Sequence, residues 1–562
     1  MRALAARGFQ VEPSPWGKVI GKIQVYNEDV FAEPSRLLQF FNHFHYTTRE
    51  SSIRGVVVIN PGEVWDQEKV EESARVLRDP LWSSVVAVLP VVSQEPGKVD
   101  LLVVTRDIWS LRLNTQYTFQ LGTLTNLSLA ISENNFLGTR SVFAAGFTMD
   151  QGAIATGPIF INKNLLGLHL DFRARLDAIL NRDALVEHGK FQREGSQSSI
   201  SLTRSLWSLA TEWGGGVSFS HRFAIDRQFL GLDLFPVDCS SGTCVRAPPP
   251  LAAAQTGATA DFLGVQYEMR RWNVTASGVR QWGTDLKSQL TIGQAVTSQR
   301  PRLLDSFPGN DLDRAAFIRD VLPRSELSSG PFISYGVFTP TFKTLRNVST
   351  YDLAEDTHTG PNADVSYSLG LKLLGSDNNF QRGSWSAGWA FPWCHDGIIH
   401  PAVGMSLRYQ GGSLIDSTAS TTVRVITPTF KWVRLVTLGT VATRFYDTQN
   451  AFFAIGSDAG LRGFTINEFR GLRLATGQLE LRTIPRPLWV IRYGAVLFYD
   501  VGAAADTFKQ MQLHSDVGIG VRMLVPQTSR ELFRFDLAVP LDTTDRTKAG
   551  SLHFIAGFDS AF

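Results

Sequence analysis

The chain has 562 residues, with 54 Lys+Arg against 52 Asp+Glu and a formal net charge of +2, a balance that argues against a nucleic-acid binder, whose footprint needs a basic excess. Mean hydropathy is −0.03, and the longest apolar run, Val85–Val92 broken only by Pro90, falls far short of the ~20 residues a spanning helix needs. Hydrophobic residues nevertheless make up 43% and aromatics 11%, with 48 glycines, a composition suited to a barrel whose strands alternate an apolar and a polar face.

The first segment, residues 1–17, is a polar, proline-containing tail. Met1–Gln10 lacks the apolar core of ~7–15 residues that defines an export signal, so a signal is expected upstream of this start or already removed. From Lys18 the pattern mixes strand and helix. Lys18–Val25 reads as a strand. Thr47–Val58 reads as a helix with Ile53 and Val57 on one face. Asn60-Pro61-Gly62-Glu63 reads as a turn, and Asp66–Leu77 as a second helix capped by Asp66, with an apolar stripe of Val70, Ala74 and Leu77. Ser83–Val92 and Val99–Thr105 then form a strand pair across Glu95-Pro96-Gly97-Lys98. Together these make a β-α-α-β-β unit over 18–107. His43-Phe44-His45 has no third ligand nearby and is read as structural, so no metal is expected.

Beyond Asp107 the period becomes two and stays so to Phe562. In Ser110–Leu121 the odd positions are Leu111, Leu113, Thr115, Tyr117, Phe119 and Leu121, and the even ones are all polar. Leu166–Leu176, Ile491–Val501, Leu513–Val525 and Ser551–Phe562 repeat the alternation. Successive strand side chains point to opposite faces. Runs this long match the ~9–11 residues of a tilted membrane strand better than the ~5–6 of a soluble one. Residues 108–562 are therefore expected to form a membrane all-β domain, an antiparallel transmembrane β-barrel closed so that no backbone group is left unpaired in lipid.

Within the barrel, Cys239 and Cys244 flank Ser-Ser-Gly-Thr in a loop-like stretch. Either they are bridged or they are two loop thiols; an oxidising compartment favours the bridge. Cys394 is left over. Arg462 is flanked by Gly456, Gly460 and Gly463, and glycine permits the tight approach of a loop folded back inside a barrel. Asp500 lies on the strand face opposite a wholly apolar, lipid-facing one, and so points into the lumen. A guanidinium can take a carboxylate there in a bidentate, charge-assisted contact. Phe498, Glu480, Asp516 and Asp536 share the inward parity and are secondary partners. Walker A, HExxH and GxSxG patterns are absent. No catalytic residue and no cofactor is assigned, and the chain is read as a non-enzyme.

Several short motifs resemble one family. Thr48-Arg49, Pro61-Gly62-Glu63, Val76-Leu77 and Leu81-Trp82 resemble the pattern of a POTRA (polypeptide-transport-associated) domain. Asn135-Phe136-Leu137-Gly138-Thr139 resembles the family's turn after the second barrel strand. Gly460-Leu461-Arg462-Gly463-Phe464 resembles its sixth-loop motif, and Phe498-Tyr499-Asp500-Val501-Gly502 resembles the Phe-x-Asp-x-Gly strand that binds the loop arginine. Leu552, Phe554, Phe558 and Phe562 resemble the terminal assembly signal of bacterial outer-membrane proteins. The chain is thus similar to the outer-membrane assembly-factor superfamily of BamA, TamA and the two-partner-secretion transporters. The resemblance implies sixteen strands, preceded by one POTRA domain in the periplasm, in the outer membrane of a Gram-negative bacterium. It implies a factor that inserts unfolded outer-membrane protein clients through a barrel seam. The implied partners are those clients, the lipid bilayer and accessory periplasmic or lipoprotein subunits. Export of a soluble passenger and a passive porin are the alternatives.

Overall fold

The computed structural model describes residues 8–28, 30, 46–77, 82–120, 123–186, 188–208, 211–245, 262–348, 350–351, 354–457, 459–489, 491–524 and 532–558. His43, His45 and Phe562 lie outside them.

Among the described residues five elements precede the barrel: β1 (Val19–Glu28), α1 (Glu50–Arg54), α2 (Gln67–Leu77), β2 (Ser83–Val92) and β3 (Lys98–Asp107). Their sheet runs in the order β1-β3-β2, with β1 parallel and β2 antiparallel to β3. The stripe of α2 lays Val70 and Leu77 on Val99, Leu101 and Val103 of β3, together with Ile20, Ile53 and Ile59. Ile20, Ile53, Ile59, Leu77 and Leu101 are wholly buried, each contributing roughly 1.5–3 kcal/mol relative to exposure. Asp66 caps α2 by accepting the Lys69 N–H at 3.2 Å. Helix α1 is shorter than the expected Thr47–Val58. Asp107 takes both the Thr48 N–H (2.7 Å) and the Thr48 hydroxyl (2.8 Å), and Arg49 is held extended, so the helix cannot begin before Glu50.

From Leu111 onward the long strands close into one antiparallel barrel, and three short two-stranded sheets lie in its loops. It has twenty strands, not the sixteen implied by resemblance. Two short segments, Thr341–Arg346 and Arg486–Leu488, continue the lines of Glu326–Phe338 and Arg473–Thr483 and pair with the same neighbours, so they add none. Five strands follow Arg462: Arg473–Thr483, Ile491–Ala505, His514–Leu524, Phe533–Pro540 and His553–Phe558. The four strands in excess of sixteen therefore all lie upstream, and the loop of Arg462 is the eighth, not the sixth, on its side. The outer face is apolar: Leu113, Ile131, Ile292, Val365, Leu497 and Ile519 are all exposed there. Among the described residues no helix is long and apolar enough to cross a membrane.

Strand length is uneven around the wall. Gln266–Trp282 and Ala354–Gly370 have 17 residues each, whereas the penultimate strand, Phe533–Pro540, has 8. Among the described residues the first strand, Leu111–Gln120, meets the last at Thr118↔Gly557, Phe119↔Ala556 and Gln120↔Ile555. The first strand pairs with its other neighbour at ten positions.

Candidate functional site

Two segments fold into the lumen from opposite ends. At the end facing the α+β unit, the turn after Thr341–Arg346 bends inward. Its Asn347 carbonyl accepts Arg434 Nη1 at 2.7 Å, and Tyr351 packs on Leu524 and Leu532 across the barrel. From the far end comes the loop 446–472, which carries Arg462. Its apex is held by Leu461 and Phe464, both fully buried with Ile455. The glycines meet specific obstacles. A Cβ on Gly456 would lie 2.1 Å from the Thr465 carbonyl, and one on Gly463 would lie 2.6 Å from the Asp516 Cβ. Gly460 has φ +92°, a left-handed value that side chains disfavour.

This apex delivers Arg462 to the lumen wall. Its Nε and Nη2 donate to the two Asp500 oxygens at 2.6 and 2.8 Å, a bidentate contact. Nη1 donates to Glu480 at 2.6 Å and to Asp536 at 3.3 Å. The guanidinium lies over the Phe498 ring, 3.5 Å from its centroid, a cation–π contact. Arg462 is 3% exposed, and the three carboxylates are 0% exposed, so a dry, fully paired cluster replaces the solvated lumen charges of an open pore. Parity explains the convergence: Leu479, Tyr499 and Phe535 face outward, which turns Glu480, Asp500 and Asp536 inward.

Asp516 is placed differently. It stands opposite Asp500 in register and is fully buried, but its carboxylate has no hydrogen bond and no ion pair to Arg462. It backs Gly463 instead. Two cations not assigned from the sequence complete the cluster. Arg482 donates to Glu480 at 2.7 Å. Arg522 bridges Asp536 and Glu480, the latter at 3.2 Å. Gly518 and Gly520 make room: a Cβ on Gly518 would lie 2.2 Å from the Phe498 ring, and one on Gly520 would lie 2.0 Å from the Asp536 carboxylate. Glycine inside a strand signals such close approach, and these two, with Arg522, all sit at the inward parity.

The loop is also clasped from outside. Loops 228–265 and 303–325 share a core of Phe235, Val237, Cys239, Phe317 and Val321. Helix α3 (Asp311–Asp320) is fixed by an Asn310 capping box. Gly231 N–H donates to the Ile466 carbonyl at 2.8 Å, and the Arg470 guanidinium stacks on Phe235 at 4.0 Å. Cys239 and Cys244 are joined by a disulfide in this cap, and Cys394 is a free, exposed thiol. Asp320 accepts the Cys244 N–H at 2.9 Å and two Arg319 contacts at 2.7 Å. The Arg319 guanidinium, then the Cys244 amide, hold its carboxyl below the usual range.

A second junction joins the α+β unit to the barrel. Asn135 Nδ2 donates to the Tyr46 carbonyl (2.6 Å) and the Thr48 hydroxyl (3.0 Å), while its Oδ1 accepts the Arg140 N–H (3.0 Å). Arg49 N–H donates to the Gly138 carbonyl at 2.8 Å, and Trp82 Nε1 to the Asn134 carbonyl at 2.6 Å. The turn 134–140 between the second and third strands is thus bolted to the unit. Of the C-terminal residues, Leu552 is exposed and Phe554 packs edge-on against Phe535 at 4.5 Å. The Phe558 side chain and Phe562 lie outside the described structure.

No family model and no curated protein matches the sequence. Among solved structures, BamA from Haemophilus ducreyi lacking POTRA domains 1–3 is similar at 12% identity and TM-score 0.43, over 96% of this chain and 84% of that one. CdiB from Acinetobacter baumannii is similar at 10% and 0.44, over 97% and 74%. CdiB from Escherichia coli is similar at 11% and 0.44, over 96% and 76%.

Proposed function

We propose that this chain is an outer-membrane assembly factor of the BamA and TamA kind, which receives β-rich clients at a periplasmic POTRA domain and inserts them through the barrel seam. The observation that carries the reading is a lumen obstructed by the Arg462 loop and by the inward turn at Asn347–Tyr351, which leaves the seam between the first and last strands, where Thr118 pairs with Gly557, as the route into the membrane. Backbone groups cannot stay unpaired in lipid, so a seam that opens presents two strand edges that client strands can pair with. Two features support it. The edge of β2 already takes an added strand: Val92 N–H donates to the Gln10 carbonyl at 2.9 Å, and Glu12 N–H to the Pro90 carbonyl at 3.1 Å, which is how an extended client would dock. And the unit is bolted to a turn one strand from the seam, so movement of the unit bears on the gate.

Export of a passenger through the lumen is the second reading. The Arg462 loop and the turn at Asn347–Tyr351 both occupy that path, which favours the seam. The test replaces the register partners Thr118 and Gly557 with cysteines in a Cys394→Ser background, and follows client insertion into liposomes. Oxidation should stop insertion and reductant should restore it. Undiminished activity with the seam locked would overturn the reading and favour export.

A further inference from the structure

We propose that the lumen holds an oxyanion-binding site on the wall upstream of the Arg462 cluster, with Arg382 as its binding cation beside the paired Arg408. The proposal is independent of the assembly reading. A cavity of about 470 Å³ near Arg424 lies lower on the same wall, but the relevant one is larger, about 650 Å³, and is lined by Arg271, Arg382, Arg408, Arg444, Glu326 and Asp416. Parity places these groups inside: Trp385 and Trp389 face outward on the strand of Arg382, and Ile333 and Tyr335 on that of Glu326.

Arg382 and Arg408 are direct cross-strand partners. Like charges directly opposite are destabilising, and one of the two is compensated. Arg408 is 2% exposed, grips Glu326 with both terminal nitrogens, one contact at 2.9 Å, and lies over Phe380 at 4.0 Å. Arg324 draws on the same carboxylate at 3.3 Å and on Asp416 at 3.5 Å. Arg271 and Arg444 have their own acids, Asp226 at 3.3 Å and Asp447 at 3.4 Å. Among the described residues Arg382 alone of the cations lining the cavity has no ion pair and no hydrogen bond; it is exposed to the lumen, 5.8 Å over the same Phe380 ring. Ser328 and Ser406 also line the space and can donate hydroxyls. A planar guanidinium with its full donor fork open, beside a second arginine and hydroxyl donors, is a receptor for a phosphoryl or carboxylate oxyanion.

The ligand is therefore a multivalent oxyanion, either a free phosphate-type anion or carboxylates of a polypeptide threading the lumen. The experiment titrates the full chain in detergent, at low ionic strength, with inorganic pyrophosphate and separately with a hexaglutamate peptide, by calorimetry. Binding should weaken with salt and fall about tenfold or more in Arg382→Gln. Arg382→Lys should keep part of it, and Lys509→Gln, on an exposed loop, should keep all of it. Because Arg382 makes no ion pair or hydrogen bond among the described residues, Arg382→Gln should retain the folded, heat-modifiable form. Binding of pyrophosphate alone assigns a free anion, and of the peptide alone a chain carboxylate. No binding of either probe, or equal binding by Arg382→Gln, overturns the site.

Discussion

Replacing Arg462 with alanine tests the lumen cluster through an asymmetry that the geometry imposes. Glu480 keeps Arg482 and Arg522 when Arg462 is lost, and Asp536 keeps Arg522. Asp500 keeps nothing, because Arg462 is its one ion-pair partner among the described residues. Its carboxylate is 0% exposed, so the surface figure of about 0–1 kcal/mol does not apply, and an orphaned buried charge costs about 3–5 kcal/mol. The reverse change is milder. In Asp500→Ala, Arg462 still holds Glu480 and Asp536, and the loss is about 1–3 kcal/mol for the bonds removed. The double variant removes the orphan along with its partner and should be no worse than Arg462→Ala, a coupling of at least about 1–3 kcal/mol. Limited proteolysis near Gly460 in detergent reads the loop's opening free energy when reclosing outpaces cleavage. Additive single effects, or equal effects of the two single variants, would refute the reasoning.

Three other outcomes are expected. Asn135→Ala should free the α+β unit by about 1–3 kcal/mol; hydrogen exchange at the Arg49 amide should rise while the Leu101 amide inside β3 stays protected, and unchanged Arg49 protection would count against the junction. Non-reducing peptide mapping should recover Cys239 linked to Cys244 and only Cys394 alkylated; two alkylated loop cysteines would contradict the bridge. Asp320, with its carboxyl held low by Arg319 and Cys244, stabilises the cap only while ionised. That contribution is full above the ordinary value near ~4 and is lost as pH falls through the lowered one. Exchange at the Cys244 amide should therefore accelerate only below about pH 4, and acceleration between pH 7 and 5 would point to another group.

Local pattern made part of this molecule readable. Asp500, Glu480 and Asp536 are inward because their neighbours are uniformly apolar, and glycines around Arg462 announce a loop that must pass close to backbone. The same parity rule holds for Asp516, yet parity names a face and not a partner, and Asp516 ends behind Gly463 rather than on Arg462. Arg482 and Arg522 carried the parity but no motif. The strand count failed for a physical reason. Ser413–Ile426 includes Asp416-Ser-Thr-Ala-Ser-Thr-Thr422, where neither face is strongly apolar, and Gln266–Trp282 begins with charge on both faces at Arg270 and Arg271. Such strands are held by their neighbours rather than by their own alternation. The inward turn at Asn347–Tyr351 depends on contacts with Arg434 and Leu524, about a hundred residues and more away, which no local pattern encodes.

Twenty strands also change the geometry of closure. Barrel diameter grows roughly linearly with strand number, so a ring of twenty is about a quarter wider than one of sixteen, and the opening to be covered, which grows as the square, is about one and a half times larger. A single loop of fixed length does not scale with it. The Arg462 apex stays against the strands that follow it, while the rest of its loop reaches the upstream loops, Asn450 donating to the Leu322 carbonyl at 2.8 Å. Other segments that enter or cover the opening belong to the upstream strands themselves: the described parts of the cap, 228–245 and 303–325, above, and the turn at Asn347–Tyr351 below. A wider ring of this kind brings its own stoppers, and deleting any one of them should raise the barrel's conductance by an amount that reports the part of the cross-section that segment covered.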